Sequence, residues 1–164
     1  MATDLRFILS VIKINADLER VGDAAKSISD RVRQMDQLPL ADLPVDIPRM
    51  ATMAGDMVRK SLQSFIEADA ELARTVLTMD DAVDALNRAA YKSLTKVMEE
   101  QSHMAPQALS ALMISRSLER VADHATNIAE DVIFWVRGAD VRHYKSMMAK
   151  QQQQAKEVPP APAD

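Results

Sequence analysis

Two stretches of this sequence, one hundred residues apart, contain nearly the same residues in the same order. Residues 17–25 and residues 117–125 both carry the run Leu-Glu-Arg-Val-x-Asp. Between positions 8 and 32, 11 of the 25 residues are identical to the residue found one hundred positions later. Shared helical composition would not produce this much identity, so we interpret the two stretches as an internal repeat. The chain must therefore build the same structural element twice.

Both copies of the repeat have the periodicity of an amphipathic helix. Their apolar residues recur at steps of three and four, which places them on one face. The chain has only 3 glycines and 4% aromatic residues, a composition that favours helices over sheets. We therefore predict an all-α fold in which both apolar rows are buried. The rows are Ile8, Val11, Ile12, Leu18, Val21, Ala25, Ile28 and Val32 in the first copy, and Leu118, Val121, Ala125, Ile128 and Val132 in the second.

The two copies have unequal surroundings in the chain. The first copy is predicted to be one long helix within residues 1–34, and we expect another backbone to pack closely at Gly22 inside it. Residues 35–47 contain two prolines and no helical period, so they are interpreted as a linker. Short connections then predict an antiparallel three-helix bundle. Its helices are expected over 48–67, 70–101 and 106–138, followed by a polar, partly disordered tail over 139–164 with a short helix at 140–150.

Acidic residues stand four apart at three places beside the apolar rows. The pairs are Glu19 with Asp23, Asp80 with Asp84, and Glu119 with Asp123. Residues four apart lie on one side of a helix, so facing pairs can converge on a hard cation such as Mg, Mn or Fe. The alternative is a solvent-exposed row in which neighbouring arginines form surface ion pairs, and the residues alone leave both interpretations open. All six acidic residues are candidate metal ligands.

The sequence carries no signature of a catalytic site. It lacks a Gly-rich phosphate loop, Gly-x-Ser-x-Gly, His-Glu-x-x-His and any cysteine, so we assign no catalytic or cofactor-binding residue. A ferritin-like di-iron centre needs two Glu-x-x-His motifs, and the single one here, from Glu100 to His103, falls at the end of a predicted helix. We therefore expect a protein that is not an enzyme.

Charge and hydropathy exclude two further classes of protein. The net charge of −4 and the predicted pI near 5.4 give no general attraction to nucleic acid. No leader segment is visible, and no apolar run reaches the roughly 18 residues that a membrane span needs. We expect a protein that is soluble or only peripheral to a membrane.

The repeated motif closely resembles the signature of the PhoU family of phosphate-signalling accessory proteins. In the first copy, Leu-Glu-Arg-Val-x-Asp is followed by Ala25 and Ile28, and in the second the likeness extends over residues 116–130. The run Asp-Asp-Ala-Val-Asp at 80–84 is similar to the helix that precedes the motif in that family. The resemblance covers about residues 3–144.

This resemblance implies two three-helix bundles in tandem, of which the first is incomplete here because only its third helix is present. It implies metal clusters on the acidic motifs, with Asp80, Asp84, Glu119 and Asp123 in one cluster and Glu19 and Asp23 as half of another. It also implies a cytoplasmic homodimer that contacts the ATPase of the phosphate ABC transporter and a membrane sensor histidine kinase. Such a protein reaches the membrane only through its partners, and it acts as a negative regulator of phosphate uptake and of the phosphate-starvation response.

Two other functions stay open from the residues alone. The first is a carboxylate-bridged metal enzyme or metal store, and the second is a helical adaptor without metal. In every case the apolar row of the first helix has to be covered. We expect this helix to pack against the three-helix bundle or against a second copy of the chain.

Overall fold

The computed structural model describes residues 2–138, and in that part of the chain every regular element is a helix. The four long helices are α1 (Ala2–Met35), α2 (Ile47–Glu67), α3 (Ala70–Glu100) and α4 (Ala105–Arg137), and one 3-10 turn (Ser102–Met104) precedes α4. These bounds lie within three residues of the predicted ones, and the all-α prediction is confirmed. The predicted tail and its short helix lie outside the described residues.

Local capping explains where α2 and α3 begin and end. The Asp46 carboxylate accepts the backbone N–H of Arg49 at 3.0 Å, and the Asp69 carboxylate accepts two backbone N–H groups in the first turn of α3. Between these helices Ala68 adopts a left-handed conformation with φ of 53°, which closes α2. Only two residues separate the helices, so α2 and α3 must form an antiparallel hairpin.

Helix α4 is the centre of the molecule because the other three helices all pack against it. Helices α2 and α3 complete the bundle with α4, whereas the backbone of α1 approaches only α4. Helix α1 runs antiparallel to α4, since Ser10 bonds the carbonyl of Asp131 while Asp17 lies beside His124. The expectation that the first helix packs on the bundle is thus confirmed, and α4 supplies the backbone contact.

The face through which α1 packs differs from the predicted one. The side chains that α1 buries completely are Ser10, Ile14, Asp17 and Ala24, at steps of three, four and seven. Five members of the predicted apolar row are exposed to solvent instead: Ile8, Val11, Ile12, Ala25 and Val32. Leu18, Val21 and Ile28 of the predicted row do pack against the core. The prediction was wrong for the other five because α1 carries apolar residues on two faces and places polar side chains in the contact with α4.

The close backbone approach expected at Gly22 is absent, since no atom lies within 4 Å of the position that a Cβ would occupy there. A close approach is found at Gly138, which ends α4 with φ of +69°. A Cβ at Gly138 would lie 2.8 Å from a guanidinium nitrogen of Arg6, a flexible group that can move aside, so the cost of a side chain there comes from the positive φ.

An aromatic cluster joins three helices at one end of the molecule. The ring centroids of Phe7 on α1, Phe65 on α2 and Trp135 on α4 lie 5.0–6.0 Å apart. Offset contacts of this kind add to the burial of apolar surface. Over the described residues no helix has both the length and the apolar character that crossing a bilayer requires.

Candidate functional site

Two acidic pairs meet where α3 packs against α4. The pKa of Glu119 is raised above its ordinary value, first by burial and then by the nearby negative charges of Asp123 and Asp84. Asp80 acts in the same direction, and the positive charge of Arg116 acts against it. Asp80 and Asp84 of α3 and Asp123 of α4 are therefore near enough to Glu119 for their charges to act on it.

The four carboxylates stand at the edge of the core. Asp80, Asp84 and Glu119 are half-buried and Asp123 is exposed, so the cluster opens to solvent on one side. Arg88 lies 3.6 Å from the Asp84 carboxylate, but this arginine is largely exposed and compensates little of the negative charge. The open side of the cluster presents carboxylates to which a cation or a basic partner surface could bind.

The donor chemistry of this cluster fits a hard cation, because it offers only carboxylate oxygens. Burial raises the pKa of Glu119 first and the neighbouring carboxylates raise it further, and a bound cation would offset both effects. In the arrangement seen across residues 2–138, no group of three acidic or histidine side chains is placed to hold a metal ion. The assignment of these residues as metal ligands stays a prediction.

The third acidic pair lies apart from the other two. Glu19 and Asp23 are exposed on α1, which does not approach α3. Asn15 donates a hydrogen bond of 3.5 Å to the Glu19 carboxylate, within the same helix. Two carboxylates alone cannot complete the coordination of a hard cation. These residues therefore form at most half of a site within the described part of the chain.

A buried polar cluster between α1 and α4 was not predicted. Nδ1 of His124 lies 2.8 Å from the carboxylate of buried Asp17, and Asn127 donates a hydrogen bond of 3.3 Å to the same oxygen. Arg20 lies 3.6 Å away on the solvent side. His124 lies one position away from the acidic row of α4, and nothing in its sequence neighbourhood indicates a partner 107 positions away.

A second buried carboxylate, that of Asp131, lies in the same contact two turns of α4 beyond His124. Asp131 is 1% exposed, and Nζ of Lys13 lies 3.7 Å from its carboxylate. Together with the Asp17 cluster it lines a cleft of about 360 Å³ between α1 and α4. Each acid in the cleft is matched by a cation of α1, so the cleft has no surplus charge to attract an ion. We interpret the cluster as the contact that fixes the register of α1 on α4.

The linker between α1 and α2 covers a larger cavity of about 870 Å³. Its walls are mostly apolar and include Val32, Met35 and Ile114. The side-chain amide of Gln107 donates to the carbonyl of Pro39 at 3.0 Å and thereby fastens the linker to the start of α4. Three charged residues, Arg33, Asp36 and Asp42, also line the cavity, but they form no group that could hold a metal ion, and we do not assign chemistry to it.

Comparison with known proteins identifies the repeat. A sequence model of the PhoU domain matches residues 1–32 and 47–132. Curated proteins described as phosphate-specific transport system accessory protein PhoU homologues are 39% identical to the chain in both Pseudomonas putida and Pseudomonas aeruginosa. Each alignment covers 87% of this chain, but only 56% and 59% of the respective relative. The chain thus spans less than two thirds of these relatives.

Solved structures agree with the sequence relatives. The crystal structure of PhoU from Pseudomonas aeruginosa superposes with a TM-score of 0.80 at 36% identity, covering 85% of this chain and 67% of that one. The phosphate transport system regulatory protein PhoU from Streptococcus pneumoniae gives a TM-score of 0.78 at 29% identity, over 86% of this chain and 67% of that one. The repeated motif, the helical architecture and the sequence relatives lead to one conclusion, that the chain belongs to the PhoU family.

Proposed function

We propose that this protein is a non-enzymatic accessory component of phosphate transport, and that it acts as a negative regulator of phosphate uptake and of the phosphate-starvation response. The observation that carries the proposal is the PhoU domain match over residues 1–32 and 47–132. The relatives named as accessory proteins of phosphate-specific transport systems support it. The acidic cluster at the α3–α4 contact offers a binding surface and no nucleophile.

In this proposal the protein is a cytoplasmic helical adaptor. Its partners are the ATPase of the phosphate ABC transporter and a membrane sensor histidine kinase, and it meets the membrane only through them. The negative charge around Glu119 suits a basic surface on such a partner, because complementary charge speeds association and fixes orientation. The same charge argues against a nucleic-acid target. The adaptor is proposed to work as a homodimer.

Metal ions are a further part of the proposal. Asp80, Asp84, Glu119 and Asp123 would hold a Mg, Mn or Fe ion, which would supply positive charge to a site of carboxylates. These side chains would need to turn towards the ion, and their half-buried and exposed positions leave room for that rotation. Glu19 and Asp23 would contribute half of a second site, completed by acidic groups from another element.

A pull-down from phosphate-replete cells tests both parts at once. We expect the wild-type chain to retain the transporter ATPase and to contain metal by elemental analysis of the same sample. The double variant Glu119→Gln, Asp123→Asn should lose both, because it removes charge while preserving shape. The control Glu99→Gln changes an exposed acid of α3 outside the cluster and should behave like wild type. Retention of the ATPase by the double variant would contradict the role given to the acidic cluster.

The alternative that the acidic cluster still favours is a carboxylate-bridged metal enzyme or metal store. That function predicts bound iron with redox turnover, which Glu119→Gln would abolish while partner binding stayed intact. Against it, Glu100 and His103 form the single Glu-x-x-His motif and are both exposed near the end of α3. A metal-free adaptor, the remaining alternative, predicts that the double variant is silent in both measurements.

A further inference from the structure

Three large apolar side chains are exposed where the second half of α3 packs against the first half of α4. Tyr91 of α3 is 60% exposed, and Leu109 and Met113 of α4 are 50% and 39% exposed. The hydroxyl of Ser115 donates to the side-chain oxygen of Asn87 at 2.7 Å, which fixes the antiparallel register of the two helices. One turn further along α3, Tyr91 lies level with the stretch between Leu109 and Met113. We call these three side chains the apolar patch.

Helix α4 leaves a single row of side chains exposed along most of its length, because the other three helices cover its remaining sides. Between positions 107 and 135 its exposed residues recur at steps of four and three, which keeps them on one face. They are Leu109, Met113, Arg116, Arg120 and Asp123. The row begins in the apolar patch and ends in the acidic cluster, so both lie on the same face of the three-helix bundle.

The acidic cluster lies about 15 Å from the apolar patch, since Met113 and Asp123 are ten residues apart and a helix rises about 1.5 Å per residue. On α3, Tyr91 and Asp84 are seven residues apart, about two turns, and so share that face. Arginines lie between the two ends, and one of them, Arg88, lies 3.6 Å from the Asp84 carboxylate. The surface is therefore apolar at one end, basic in the middle and acidic at the other end.

We propose that an amphipathic helix of a partner protein binds along this surface. Its apolar side chains pack on the apolar patch, and its Lys or Arg side chains meet the acidic cluster about three turns further on. A helix that lies in a groove presents residues at steps of three and four to it, and 15 Å of helix corresponds to about ten residues. This binding mode rests on the proposed function, in which the chain binds other proteins, and it specifies the form and the charge order of the element that is bound.

Charge argues against a second copy of the chain as the occupant of this surface. If two copies met here in opposite directions, the carboxylates of each would be buried against the apolar patch of the other, which carries a large desolvation cost. If they met in the same direction, carboxylates would face carboxylates and repel one another. A membrane surface is disfavoured as well, because anionic lipid headgroups repel the acidic end. A helix that carries basic residues avoids all of these costs.

The residue types at the apolar end are those that interfaces between proteins favour. Aromatic residues, methionine and arginine are enriched in such interfaces, and this surface offers Tyr91, Met113 and Arg116. The unbranched side chain of methionine also adapts to the shape of a partner. We therefore expect the apolar patch to supply most of the affinity and the acidic cluster to set the orientation of the bound helix.

Photo-crosslinking in living cells tests the occupant. p-Benzoylphenylalanine placed at Met113 should capture a segment with apolar residues at steps of three and four, and with Lys or Arg about ten residues beyond the capture point. The same probe at Arg120 should capture that segment about seven residues further along. Placed at Ile66, which is 81% exposed near the end of α2, it should not capture this segment. Capture of a second copy, of residues 139–164 of the same chain or of a segment without this pattern would overturn the proposal, and so would the absence of capture.

A synthetic peptide with the sequence of the captured segment provides the second measurement. Fluorescence anisotropy should show that Met113→Asp weakens peptide binding about tenfold, as the loss of an interface anchor does. The double variant Glu119→Gln, Asp123→Asn should weaken binding at low salt and have little effect at high salt. Ile66→Asp is the control and should bind like wild type, and circular dichroism should show equal helix content in all variants. Equal binding by Met113→Asp and wild type would overturn the proposal.

These outcomes separate the binding surface from the proposed function. If the captured segment belongs to a protein outside phosphate transport and signalling, the binding surface is confirmed and the partners of the proposed function are wrong. If no segment is captured while the wild-type chain retains the transporter ATPase in the pull-down described above, the binding surface is wrong and the proposed function stands.

Discussion

At the scale of single residues, the clearest signal of function is the group of carboxylates around Glu119. Ordinary surface acids are spread apart, whereas here burial and three neighbouring carboxylates raise the pKa of one group. The site costs folding stability when it is fully charged. Such a cost is typical of a site arranged for binding rather than for folding.

Glu119→Gln should therefore stabilise the protein near neutral pH. The pKa of Glu119 is higher in the folded chain than in the unfolded one, so between these two pKa values the folded state binds more protons. The wild-type protein therefore loses stability as the pH rises through this interval. The variant does not, because glutamine stays neutral. Because Glu119 is only half-buried and solvent screens its charge, we expect a gain on the order of 0.5 kcal/mol at pH 7.5 and none at pH 3.5. Urea unfolding at both pH values measures the difference.

Glu99→Gln is the control for this experiment, since Glu99 is exposed on the same bundle and should give the same stability as wild type at both pH values. If Glu119→Gln destabilises the protein at pH 7.5 in the absence of metal, repulsion among the four carboxylates does not dominate the site.

The buried acid Asp17 differs from Glu119, because its carboxylate has hydrogen-bond partners in His124 and Asn127. Asp17→Ala removes the acceptor for His124 and Asn127, and it leaves their polar atoms in a partly buried contact. We expect a loss of about 1–3 kcal/mol of unfolding free energy. Ser117→Ala at the equivalent position of α4 is the control and should change stability little, because no side-chain hydrogen bond found within residues 2–138 uses its hydroxyl. Equal effects of the two substitutions would rule out a special role for the α1–α4 cluster.

At the scale of helices, the sequence predicted the number, order and approximate bounds of the helices. Their signals are local: proline before α2, Asp46 and Asp69 as caps, and Gly138 as a stop. The meeting of the acidic pairs of α3 and α4 was also predictable, because short connections make adjacent helices antiparallel. The face that α1 buries could not be predicted in this way. Apolar periodicity does not show which of two apolar faces is buried, because the buried one uses the polar residues Ser10 and Asp17 to contact a helix that is distant in sequence.

Two isoleucines in neighbouring turns of α1 distinguish the faces directly. Ile14 is 4% exposed against α4, whereas Ile12 is 63% exposed on the outer face. At concentrations low enough to keep the chain monomeric, Ile14→Ala should cost about 2–4 kcal/mol because it leaves a cavity, and Ile12→Ala should cost less than about 0.5 kcal/mol. Denaturant titration of both variants measures this, and the reverse ranking would mean that α1 is rotated about its axis.

At the scale of the whole molecule, α1 and the bundle should unfold as one unit. The single tryptophan, Trp135, lies in the aromatic cluster with Phe7 of α1 and Phe65 of α2. Its fluorescence therefore reports on three helices, whereas far-ultraviolet circular dichroism reports on all of them. We expect the two signals to give coincident urea transitions, as two-state unfolding requires.

Phe7→Ala tests the origin of this coupling. It should lower the common midpoint by weakening the contact of α1 with the other helices, while Tyr91→Ala, at an exposed position of α3, should leave the midpoint near that of wild type. A fluorescence transition that precedes the circular dichroism transition in the wild-type chain would show that α1 detaches before the bundle unfolds.

The central place of α4 has a consequence for how the chain is made in the cell. Helix α4 follows α1, α2 and α3 in the chain, so the ribosome releases these three before the helix on which all of them pack. Until residue 137 has left the exit tunnel, the apolar faces of the nascent helices have no permanent neighbour. Complete folding of the bundle must therefore wait until α4 has emerged, and the waiting chain is a natural client for chaperones that shield hydrophobic segments.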